Sequence, residues 1–230
     1  MRSHAALALG YLRDPKVVEP LIALLKGADA TVRSSTADAL GNLRDPRAVE
    51  LLIALLKDAD ANVRQDAVFA LCKLRDPRAV EPFIALLKDT DATVRSSAAS
   101  ALGNTQDPRA VEMLIALSKD TDAKVRASAV FGLAINQDPR AIELLITLSK
   151  GTDANMRTEA AYALSDTQDP RAVERLIALL KDADVNVRTN AISGLARTHD
   201  PPRRRAASHP LETHRPGHAK RCRVRLEQYA

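Results

Sequence analysis

The chain has 230 residues and is 46% apolar, yet it holds only three phenylalanines, three tyrosines and no tryptophan, so Ala, Leu, Val and Ile must form its core. That composition excludes an ordinary aromatic-centred globule and suits many thin helices in close contact, since Ala and Leu favour helix. The net charge is +5, and two cysteines, Cys72 and Cys222, cannot form a disulfide framework, which points to a reducing, cytoplasmic setting.

Taken in chain order, Met1 to His4 followed by Ala5 to Leu12 has the outline of a short leader. The register of the downstream repeats explains it better, as the second helix of a repeat that the chain enters midway. No run approaches the roughly 18 apolar residues needed to cross a bilayer, so no membrane partner is expected. From Asp14 onward the dipeptide Asp-Pro recurs at Asp45, Asp76, Asp107, Asp138, Asp169 and Asp200, always 31 residues apart, giving six complete units over 14–199.

Each unit reads as two helices. In 45–75 the first opens at Asp45-Pro46, with the carboxylate placed to cap and proline at the first helical position. Val49, Leu52, Ile53 and Leu56 then share one face. Asp60 is placed to cap the second helix, whose buried side is expected to carry Val63, Ala67, Ala70 and Leu71. One such hairpin cannot cover both of its apolar faces, so successive hairpins must stack into a solenoid. A column of small residues, Gly41, Cys72, Gly103, Ala134, Ser165 and Ala196, marks where helices approach most closely.

The unit Asp-Pro-Arg-Ala-Val-Glu, then Asp-Ala-x-Val-Arg, then Ala-x-x-Ala-Leu-Gly resembles the HEAT-like repeats named after phycobilisome lyases, over residues 1–199. The resemblance implies an all-α fold, a right-handed α-α superhelix of six full two-helix repeats after an N-terminal half repeat. It also implies a structural ladder between repeats, for which the matching pairs are Asp29 and Arg33, Asp60 and Arg64, Asp91 and Arg95, Asp122 and Arg126, Asp153 and Arg157, and Asp184 and Arg188. The arginine column also has the spacing to track a phosphate backbone, but a near-neutral groove argues against nucleic acid there.

In such solenoids the second helices line the concave side. The column that starts at Asp38 continues through Phe69, Ser100, Phe131, Tyr162 and Ser193, and so gathers three of the six aromatic residues. Two readings stand: an exposed aromatic anchor for a partner, or rings folded over small neighbours such as Gly132 and Ala163. Asp66, Lys73, Ser128, Ile135, Glu159 and Asp166 would flank the anchor. The expected function is a non-enzymatic scaffold that holds a protein or peptide on this face. The alternative, from the resemblance, is a subunit of a bilin lyase or isomerase.

No catalytic constellation, cofactor site or metal site is expected. HEAT-repeat deoxyhypusine hydroxylases use His-Glu pairs, and no His-Glu dipeptide occurs here. Residues 200–230 differ in character, with eight Lys or Arg against three acids, and read as a separate basic, unfolded or degenerate tail. Its charge offers weak nucleic-acid contact, and His209, His214 and His218 are spaced loosely enough for adventitious metal but have no accompanying acid or fixed helix, so no metal site is expected there.

Overall fold

The computed structural model describes residues 1–12, 14–25, 29–105, 107–136, 138–167 and 169–198; the basic tail and Cys222 lie outside the described residues. The described residues contain thirteen α-helices and no strand: α1 Arg2–Leu12, α2 Val18–Leu25, α3 Ala30–Leu43, α4 Val49–Leu55, α5 Ala61–Leu74, α6 Val80–Leu86, α7 Ala92–Gly103, α8 Pro108–Leu117, α9 Ala123–Asn136, α10 Pro139–Leu148, α11 Ala154–Leu164, α12 Pro170–Leu179 and α13 Val185–Thr198. Even-numbered helices are the first of each repeat and odd-numbered ones the second, stacked as an α-solenoid.

Aspartate starts both helices of the repeat. Asp45 Oδ1 accepts from the Arg47 amide at 2.9 Å and Asp138 Oδ1 from the Arg140 amide at 2.8 Å. The first three units begin with a tighter 3-10 turn, Pro15–Val17, Pro46–Ala48 and Pro77–Ala79, before the α-helix proper, whereas α8, α10 and α12 are α-helical from the proline onward. Asp60 caps α5 through the amides of Asn62 at 2.8 Å and Val63 at 3.3 Å. Such caps satisfy helix-end donors that would otherwise go unpaired.

The core keeps the period. Leu40, Leu71, Leu102, Leu133 and Leu164 form one buried column, and Leu21, Leu52, Phe83, Leu114, Leu145 and Leu176 form a second from the first helices. Val49, Val63, Ala67 and Ala70 are fully buried, Leu56 nearly so and Ile53 half-buried. Each fully buried leucine contributes about 1.5–3 kcal/mol relative to exposure.

The second helices pack on one another at backbone distance. A Cβ built on Gly103 would lie 2.4 Å from Cα of Gly132, and one on Gly41 would lie 2.7 Å from Cα of Ala70. Only the absence of a side chain allows α7 to meet α9, and α3 to meet α5, in this way. First helices touch each other far less, so the odd-numbered row is the tight layer of the solenoid.

Candidate functional site

The arginine column forms a ladder, but with a partner other than the one expected. Arg33 Nε and Nη2 donate to Asp58 at 2.7 and 2.8 Å, and Arg64 does the same to Asp89 at 2.8 and 2.7 Å. Arg95 pairs with Asp120 and Arg157 with Asp182. Asp29, Asp60, Asp91, Asp122, Asp153 and Asp184 instead commit their carboxylates to helix caps. The physical reason is reach. A capping carboxylate folds back onto its own helix, while the guanidinium extends to the turn of the next repeat, 25 residues on.

Each rung is a bidentate, largely enclosed contact, the strong form of an ion pair. The Arg64 and Asp89 side chains keep 12% and 10% of their exposure. Hydrogen bonding from the arginines holds the carboxyls of Asp58, Asp120 and Asp182 below the usual aspartate range, and the same bonds raise Arg33, Arg64, Arg95 and Arg157. Two of the six arginines close on no carboxylate among the described residues: the column Gly27, Asp58, Asp89, Asp120, Gly151, Asp182 offers Arg126 a glycine, and the position 25 residues after Arg188 is Thr213, outside the described residues.

The expected partner-facing residues divide into two groups. The first is committed to bonds between neighbouring second helices. Lys73 Nζ donates to Asp38 at 2.7 Å and to Asn42 at 2.8 Å. Ser34 Oγ donates to Asp66, and the hydroxyls of Ser96 and Ser128 lie 2.7 Å apart. Asp66 and Ser100 are only 9% and 8% exposed, contrary to the expectation of an open rim. Because these helices pack so tightly, short polar side chains at their seam meet the next helix before they meet solvent.

The second group remains at the surface. Phe69, Phe131, Ile135, Glu159, Tyr162 and Asp166 are half-buried. The rings of Phe131 and Tyr162 lie 6.4 Å apart at 31°, a tilted pair. The Arg197 guanidinium sits 4.6 Å over the Tyr162 ring and also donates to Ser165 Oγ. Spacing brings Phe131 and Tyr162 together, and Arg197, which is not among the expected site residues, continues the flanking column of Lys73, Ile135 and Asp166 one repeat further along. Burial raises the Glu159 carboxyl, and it pushes the Cys72 thiol up to about 12, as for a packing residue with no nucleophilic character. Among the described residues no group of three His, Cys, Asp or Glu is placed to hold a metal ion, and no helix is long and apolar enough to cross a membrane.

Comparison with solved structures finds the same architecture. An engineered protein is 28% identical with a TM-score of 0.57, over 79% of this chain and 96% of its own. The CpcE–CpcF complex of phycocyanin lyase from Nostoc sp. PCC7120 is 24% identical with a TM-score of 0.54, over 86% of this chain and 88% of that one. A designed armadillo repeat protein in complex with the peptide (KR)4 is 19% identical with a TM-score of 0.52, over 79% of this chain and 99% of that one. No curated protein sequence matches the chain. The family model for HEAT repeats matches residues 1–64, 49–134 and 112–196, together spanning the stacked hairpins, and the chain is therefore a member of the HEAT-repeat family.

Proposed function

We propose that the protein is a non-catalytic interaction module that holds a segment of a partner protein along its row of second helices, with Phe131 and Tyr162 as the apolar anchor. The observation that carries this reading is the half-buried Phe131–Tyr162 pair with Arg197 over the tyrosine. Rings fixed by neighbours lose little entropy on binding, and aromatic and arginine side chains are the usual energetic centres of interfaces. The tight packing of the odd-numbered row supports its being the concave side, because a stack bends toward its more closely spaced layer. The fold itself is suited to protein interaction.

The bilin-lyase alternative rests on fold likeness alone, so no chemistry is derived for it. If the protein is an interaction module, a bilin mixed with it keeps the absorption spectrum of the free pigment. The direct test is to select peptides from a random display library against the full chain and to map amide protection by hydrogen exchange. Protection over Phe131 and Tyr162 on α9 and α11 is expected. Protection confined to the even-numbered helices would refute the reading.

A further inference from the structure

From Arg64 to Arg188 each arginine of the column is held in one pose by its own repeat. Arg64 Nη1 donates to the carbonyls of Asp58 and Ala59 at 2.8 and 3.2 Å, and Arg126 Nη1 donates to those of Asp120 and Thr121 at 2.9 and 3.0 Å. In Arg64 this anchorage leaves Nε and Nη2 as a fork that closes on Asp89. In Arg126 the same fork meets no carboxylate among the described residues, because residue 151 is glycine. Arg126 also borders an open pocket of about 190 Å³, whose wall includes Ala127, Asp153, Asn155, Thr158 and Glu159 but not Gly151.

The gap is not imposed by the backbone. Gly151 does not use the left-handed region, and a Cβ on it would meet only the Leu148 carbonyl, at 3.2 Å. Aspartate occupies the same turn in the neighbouring repeats at 120 and 182. The unfilled fork of Arg126 lacks the compensating carboxylate that Arg33, Arg64, Arg95 and Arg157 have.

We propose that the Arg126 fork beside Gly151 is a receptor for the side-chain carboxylate of an acidic residue in a bound peptide, which supplies the two oxygens that an aspartate supplies at the other rungs. This deepens the reading above and rests on it for the peptide: Ala127 and Thr158 lie about one helical turn before Phe131 and Tyr162 on the same two helices, so the recognised segment carries an acidic residue beside an apolar one. Asp153 in the lining does not oppose this. Its carboxylate is committed to the amides of Asn155 and Met156, and its equivalent Asp91 stands beside the filled Arg64–Asp89 rung.

The test uses N-acetyl-aspartate methylamide, which reproduces the missing side chain, with its asparagine analogue and inorganic phosphate as controls. The full chain is titrated while the arginine Nε–Hε resonances are followed, the Arg126 signal being assigned by its loss in Arg126→Lys. Expected is a saturable Arg126 shift with the aspartate compound. The shift should be absent with the asparagine analogue, at least tenfold weaker in Gly151→Asp and retained in Gly151→Ala. Should Gly151→Asp fail to fold, Arg126→Lys serves in its place, with competition by the aspartate compound against a display-selected peptide expected for the parent and lost in the variant. No saturable shift, an equal shift with the asparagine analogue, an unchanged affinity in Gly151→Asp, or tighter binding of phosphate would each overturn the proposal. The Phe131→Ala/Tyr162→Ala variant should still bind the aspartate compound, so failure of the aromatic anchor and failure of this site are separate results.

Discussion

Arg64 closes on Asp89 across a repeat boundary with two parallel hydrogen bonds of 2.8 and 2.7 Å, and the same Asp89 accepts from the amide of Asp91 at 2.9 Å. One carboxylate thus joins the ladder to the start of the next helix. Removing one partner of an enclosed pair strands the other, so Arg64→Ala is expected to lower stability by about 2–3 kcal/mol in urea unfolding. Asp89→Asn, which keeps one acceptor oxygen, should cost less than Asp89→Ala.

The ladder sets the direction of pH dependence. The carboxyls of Asp58, Asp120 and Asp182 titrate lower in the folded chain than in the unfolded one, chiefly through their arginine bonds. The unfolded chain therefore binds more protons around the ordinary aspartate value of about 3.9, and stability rises with pH there. The contribution is complete above the unfolded value and is lost as pH falls through the depressed folded values. Glu159 has the opposite sign, being raised by burial, and its contribution declines as pH rises past the unfolded glutamate value. Thermal melts from pH 3 to 7 should show steep loss of stability at the acid end, and Glu159→Gln should melt slightly above the parent at pH 7.

Two glycines are expected to respond oppositely to a methyl group. Gly103→Ala drives a carbon into the Gly132 backbone, which cannot move aside without parting α7 from α9. A cost of about 1–3 kcal/mol is expected from such overpacking. Gly151→Ala meets a single carbonyl at 3.2 Å and is expected to be neutral or mildly stabilising, through loss of unfolded-state freedom. Chemical denaturation of the two variants side by side checks the contrast.

Cys72 should be chemically silent. With its thiol pushed up to about 12 by burial, its thiolate fraction at pH 8 is about a thousandfold below that of an ordinary cysteine of pKa about 8.5. In a Cys222→Ser background, labelling of Cys72 by a disulfide reagent should be slower than in denaturant by two to three orders of magnitude. Equal rates would show that the seam of second helices is open.

The repeat, both caps and the core columns were legible because packing and capping impose the same residue type at every period. Asp-Pro, the buried leucines and the small-residue column each recur with the backbone geometry that demands them. The ladder was half legible. The arginine column was plain, but two aspartate columns lie within two residues of each other, and only side-chain reach assigns Asp60 to the cap and Asp58 to Arg33. The Lys-Asp pair of these turns is interrupted twice in the sequence, at Lys26-Gly27 and at Lys150-Gly151. Phe131 and Tyr162 could be placed on one face from spacing. Arg197 falls in the flanking column of Lys73, Ile135 and Asp166, but its place over the Tyr162 ring depends on side-chain conformation that spacing does not set. The burial of Asp66 and Ser100 depends on how closely α3, α5, α7 and α9 approach, a distance that no single repeat encodes.

The proposed function stands on the inner face of second helices being the surface that holds a partner. It is tested most directly by the dissociation constant of a display-selected peptide for the parent chain, for Phe131→Ala/Tyr162→Ala, and for Met113→Ala/Ile177→Ala, which removes exposed apolar side chains from α8 and α12. Loss of affinity of at least tenfold in the first variant and little change in the second is expected, with both melting near the parent. Equal affinity in the aromatic variant, or the larger loss in the α8 and α12 variant, would contradict it.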